Sequence, residues 1–170
     1  MTSASHRWIL VFALLAAASA THAVAGEEIA QGHASPPPPT SPQTVPIDAA
    51  TLAALPREAV TANAHGKTLQ CEGVALPAVL RAANALPAEP LRGGQLANYV
   101  LVTARDGYRA VFSLAELEPS LSNRKVLLVD RCDGQPLDGD DGPLRLIAPE
   151  ESRPARWVRQ VQSITVVTAP

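Results

Sequence analysis

The chain has 170 residues, enough for one domain with extensions. Its formal net charge is -2 and aromatics make up only 4%. That excludes the basic, aromatic-studded surface of a nucleic-acid binder.

The first 25 residues read as an export signal. His6-Arg7 is a weakly basic start, and residues 8–20 are an apolar run too short to span a bilayer. Ala18-Ser19-Ala20 and Ala23-Val24-Ala25 both fit small-x-small cleavage, and cleavage after Ala25 is preferred. The competing reading is an uncleaved anchor. After cleavage no apolar segment long enough for a membrane span remains, which predicts a soluble periplasmic or secreted protein. Residues 26–46 read as a linker, because Ser35-Pro36-Pro37-Pro38-Pro39-Thr40-Ser41-Pro42 favours polyproline II and cannot build a core.

Residues 47–168 read as the folded domain. Asp48 suits the N-cap of a helix over 49–55, stopped by Pro56. A strand over 59–63, a His65-Gly66 turn and a return strand over 68–71 form a hairpin. Gly73 is expected to break the chain before a helix. In that helix Leu76, Val79, Leu80, Ala83 and Leu86 make one apolar stripe, and Pro77 sits harmlessly in the first turn. Pro87 and Pro90 end it, and residues 89–95 read as a loop. Strands over 99–104 and 108–112 flank the Asp106-Gly107 turn. Ser113 and Glu116 have capping-box spacing for one helical turn, which stops at Pro119.

The last third carries three strands, over 126–129, 144–147 and 164–167, separated by polar loops. The first is apolar throughout, as in a strand buried on both faces. The Asp133-Gly134 and Gly142-Pro143 pairs mark turns. This order of short strands, few helices and hairpins predicts an α+β class with mixed sheets.

Several constellations invite chemistry. His65 is the one histidine inside the domain, which makes a His-rich metal site hard to build. It reads as a solvated turn residue in preference to a member of a catalytic triad. Asp138-Gly139-Asp140-Asp141-Gly142 fails EF-hand spacing, because Gly142 falls where an oxygen ligand belongs and no closing Glu follows. Cys71 and Cys132 are weak metal-ligand candidates. In an oxidising compartment they instead form one disulfide, or stay as two separate small apolar residues. Arg145, Arg153, Arg156 and Arg159 lie near strand ends. If they converge they make an anion pocket. The competing reading pairs them with Asp140, Glu150 and Glu151 on a wet surface.

An ordered set of motifs runs through the domain: Glu72-Gly73-Val74-Ala75-Leu76-Pro77-Ala78-Val79-Leu80, Asp106-Gly107-Tyr108, Leu127-Leu128-Val129-Asp130, Asp133-Gly134-Gln135-Pro136-Leu137, Gly142-Pro143-Leu144-Arg145-Leu146-Ile147-Ala148-Pro149 and Arg156-Trp157-Val158. Together, over about residues 60–167, they resemble the molybdopterin-binding domain of the sulfite oxidase family, in a short exported version truncated at its N-terminal side. The resemblance implies an α+β fold. In full-length members it also implies molybdenum held by a pterin dithiolene and one cysteine, doing oxygen-atom transfer. The family's ligand cysteine precedes the Gly-Val-x-Leu motif, and residues 59–70 hold none here. Arg156 stands where the family has lysine.

Two expectations follow. The main one is a cofactor-free binding or accessory module, whose partner is an unidentified protein or a small anion. The alternative is a small molybdopterin-dependent oxidoreductase. In it Arg145, Arg153, Arg156 and Trp157 contact the pterin or another anion, with Cys71 or Cys132 as a substitute ligand.

Overall fold

The computed structural model describes residues 41–170. The expected export signal and residues 26–40 of the expected linker lie outside the described residues. What is described is an α+β domain with short helices, as expected, but among the described residues its two sheets are antiparallel and not mixed, because hairpins and reversing connections pair every strand with an oppositely running neighbour.

The first sheet has the strand order β1-β9-β4-β5, with β1 at Gln43–Val45, β4 at Asn98–Ala104, β5 at Arg109–Ser113 and β9 at Val161–Thr168. β1 departs from the expectation. Gln43–Val45 belongs by composition to the linker, yet it pairs with β9 and buries Val45. The Pro-rich pattern ahead of it masks a short strand whose order comes from a partner over a hundred residues away. In β4, buried and half-buried residues alternate strictly, the period-2 signature of a sheet with one face on the core.

The second sheet runs β2-β3-β6-β7, with β8 also paired to β6. Its strands are β2 (Arg57–Ala64), β3 (Lys67–Ala75), β6 (Leu127–Cys132), β7 (Gln135–Pro136) and β8 (Arg145–Ile147). Residues 126–129 are all buried, as a continuous apolar run requires. The β2–β3 hairpin turns on His65 and Gly66, both at positive φ, and β6–β7 turns in the same way on Asp133 and Gly134. This is the two-residue geometry that matches strand twist.

Gly73 does not break the chain. β3 continues through it to Ala75, with a register shift against β6 between Glu72 and Gly73. A Cβ at Gly73 would lie 2.1 Å from the Leu128 carbonyl oxygen and 2.5 Å from Val129 Cα. The glycine is there for backbone-to-backbone approach at a bulge, not for a turn.

Three short helices pack on these sheets. α1 (Ala49–Ala53) is capped by Asp48, whose carboxylate accepts from the Thr51 N–H at 3.0 Å and its hydroxyl at 2.7 Å. α2 (Leu76–Ala82) follows β3 directly and buries Leu76, Val79 and Leu80. It ends at Ala82, before the expected prolines; Asn84 follows with φ of 53°, and Leu86 reaches the core from the segment beyond. α3 (Leu114–Leu117) carries the expected capping box: the Ser113 N–H donates to Glu116 Oε1 at 2.9 Å, and the Ala115 N–H donates to Ser113 Oγ. Gly93–Ala97, expected as loop, forms a 3-10 turn feeding β4. No helix among the described residues is long and apolar enough to cross a membrane.

Candidate functional site

A groove of about 510 Å³ opens beside the β2–β3 turn, between that hairpin and the chain around β8. His65, Lys67, Asp141, Arg145, Trp157 and Arg159 line it. Local structure explains the assembly. The His65-Gly66 turn projects His65 and Lys67 from one side, and Arg145 opens β8 on the other. Trp157 is fixed from below, buried and donating its indole N–H to the Ala148 carbonyl at 2.9 Å.

Arg145 is the centre of the groove. Its side chain is 11% exposed, and its guanidinium carbon lies 5.6 Å from the Trp157 ring centroid. Nη1 donates to Asp141 Oδ2 at 2.6 Å. Its Nε is buried and has no hydrogen-bond partner. A guanidinium has five N–H donors in a fixed fork, and a buried donor left unpaired is costly. Arg159, 60% exposed, stands 3.9 Å from the other Asp141 oxygen. The groove therefore sets three cations against one carboxylate, with His65 at its edge.

Asp141 is held in place by its own loop. Asp138 Oδ1 accepts from the N–H groups of Asp140 and Asp141, and the Gly142 N–H returns to the Asp138 carbonyl. The acidic run is thus a self-bonded turn that presents Asp141 to Arg145.

The four expected arginines divide. Arg153 is exposed at the start of the Pro154–Arg156 3-10 turn and lines a depression shared with His65. Arg156 leaves the group altogether. Its Nε donates to Glu151 Oε1 at 2.7 Å, and its Nη1 donates to the Val111 carbonyl and Glu116 Oε1 at 3.0 and 3.1 Å. Burial opposes its charge, but Glu116 and Glu151 outweigh burial and raise its pKa above the usual guanidinium value. So Arg145 and Trp157 share one groove, Arg153 is its neighbour, and Arg156 is a structural tie elsewhere. The wet-surface expectation chose the wrong acids in part: the ion pairs use Glu116, Asp141 and Glu151, and neither Asp140 nor Glu150 appears in one among the described residues.

Sequence reasoning missed Lys67 as a groove residue and set His65 aside. The signal was present in the turn His65-Gly66-Lys67, but its proximity to β8 depends on the β3–β6–β8 sheet order.

Cys71 and Cys132 are opposite each other in the β3–β6 ladder and joined in a disulfide, Cα to Cα 4.0 Å. Of the alternatives left open by sequence, this is the bridged one. A molybdenum centre of the resembling family needs a cysteine thiolate. The chain has two cysteines, and in the bridged form each sulfur is bonded to the other. Among the described residues, no three His, Cys, Asp or Glu side chains gather as a metal site. In this bridged form neither cysteine offers the thiolate that the resemblance implies.

The chain matches no protein-family model, and no curated protein is significantly similar to it.

Proposed function

We propose that this chain is an exported binding or accessory module, built on a truncated sulfite oxidase-like molybdopterin domain, that holds a small oxyanion in the Arg145 groove without a molybdenum centre of its own. The observation that carries this reading is the buried, unpartnered Nε of Arg145, set among Lys67, Arg159 and Trp157. An oxyanion supplies the acceptor that Nε lacks, and the guanidinium fork suits sulfate, sulfite, phosphate or a carboxylate. Export is supported by the apolar run at residues 8–20 and by the Cys71–Cys132 bridge, since disulfides persist in oxidising compartments.

Thermal unfolding with sulfite, sulfate, phosphate and molybdate tests the groove. A ligand at about 100 times its dissociation constant adds roughly 2.7 kcal/mol of stability. At least one of these anions is expected to raise Tm in the native chain, and Arg145→Lys, which keeps the charge but loses Nε, is expected to blunt the rise. No rise with any of the four overturns the anion reading. Metal and pterin analysis of protein exported from a molybdenum-replete host tests the other half. Near one molybdenum per chain would overturn the cofactor-free reading in favour of an oxidoreductase.

A further inference from the structure

A second cavity, of about 500 Å³, lies between the end of α2 and the 3-10 turn before β4. Its inner wall is apolar: Leu86, Leu91 and Leu114 line it and are themselves buried. Its size falls in the range of small-molecule sites. Asn98 also lines it, at the first position of β4, and is 4% exposed. The Asn98 Oδ1 is buried with no hydrogen-bond partner. A buried amide oxygen left unpaired is rare and calls for an account.

The charge of the lining narrows the ligand. One cation, Arg81, and one acid, Glu89, stand among the cavity residues, so the wall has no net charge to recruit an ion. That separates this site from the basic groove. A primary amide offers two donors and an acceptor on one planar group. Its natural complement beside the apolar inner wall is a second amide, whose N–H gives to Oδ1 and whose carbonyl takes from Nδ2.

We propose that this cavity binds a neutral molecule with a short branched aliphatic body and an amide head, the head pairing with Asn98 and the body lying on Leu86, Leu91 and Leu114. The site stands apart from the Arg145 groove and does not depend on the anion reading.

The test uses N-acetyl-leucinamide as probe, titrated into the full mature chain and followed by backbone amide chemical shifts. Saturable shifts centred on Leu86, Leu91, Asn98 and Leu114 are expected. Ala88→Trp, an exposed position on the cavity wall, closes the cavity without entering the core and should weaken binding at least tenfold. Asn98→Leu should abolish binding and raise Tm, because it removes the unpaired polar atom along with the recognition group. No saturable shift at millimolar probe overturns the proposal, as does unchanged binding in Ala88→Trp. N-acetyl-leucine serves as the charged comparison, and tighter binding of that carboxylate would overturn the neutral class.

Discussion

Arg156 lies over Phe112, its guanidinium carbon 4.3 Å from the ring centroid, while the same guanidinium bonds the carbonyl of Val111 next door. Phe112 is fully buried and Val111 is exposed, so one side chain covers a core ring and caps the edge of β5 at once. Tyr108 supports the same edge by donating its hydroxyl to the Ala155 carbonyl. Arg156→Ala should therefore cost about 1–3 kcal/mol of stability, the range for a charged hydrogen-bonded group lost from a part-buried network. It should leave the anion-induced Tm rise intact. Denaturant midpoints with and without sulfate check both halves. A lost sulfate effect at unchanged stability would return Arg156 to the binding site.

Gly73→Ala should be among the most damaging single changes in the domain. Its methyl would enter the Leu128–Val129 backbone, which cannot rotate away as a side chain would. A loss of about 3 kcal/mol or more is expected, in the class of severe core overpacking. Urea unfolding measures it. A loss within about 0.5 kcal/mol, as at an ordinary surface site, would mean the β3–β6 bulge is looser than described.

Reducing the Cys71–Cys132 bridge should lower stability by about 4 kcal/mol in the chain-entropy account, since the bridge closes a separation of 61 residues. Cys71 is 1% exposed, so reduction in native conditions should be slow. Midpoints in urea with and without dithiothreitol give the number. The Cys71→Ala, Cys132→Ala double variant should be indifferent to the reductant, and a midpoint in that variant that still moves would place the effect elsewhere.

Asp130 supplies a pH dependence. The hydrogen bonds from Arg57 hold its pKa below the ordinary 3.8, against a smaller opposing effect of burial. A carboxylate whose folded pKa is depressed contributes stability above its unfolded pKa and loses it as pH falls through the folded value. The contribution should thus be complete by about pH 5 and fade below pH 4. Both side chains are over 40% exposed, so it stays within about 1 kcal/mol and weakens with salt. Asp130→Asn should remove that share of the acid limb when stability is measured from pH 2 to 6. An acid limb identical to the native chain's would sink the assignment.

Much of the fold was legible where local chemistry decides it. The Ser113–Glu116 capping box, the Asp106-Gly107 turn and the buried run at 126–129 each need only their neighbours in sequence. Gly73 was misread because a turn glycine and a bulge glycine look alike until the opposing strand is placed. Gln43–Val45 was misread because its strand partner is β9. The site was half legible for the same reason. Arg145 and Trp157 come together through β8 and the loop after it, whereas Lys67 arrives through sheet order alone, and Arg156 turns away because Glu116, forty residues upstream, claims it.

The β1–β9 pairing also dictates an order of assembly. Thr44 meets Thr165, so the sheet β1-β9-β4-β5 takes the strand that connects β1 to β4 from more than a hundred residues after β1. Until that segment has been made, β1 and β4 have nothing between them, and the half of the core they cover stays open. Vectorial synthesis cannot finish this domain piece by piece. Contacts of such long sequence separation form slowly, so the half of the core between β1 and β4 closes late, after the rest of the domain has its local turns and hairpins in place.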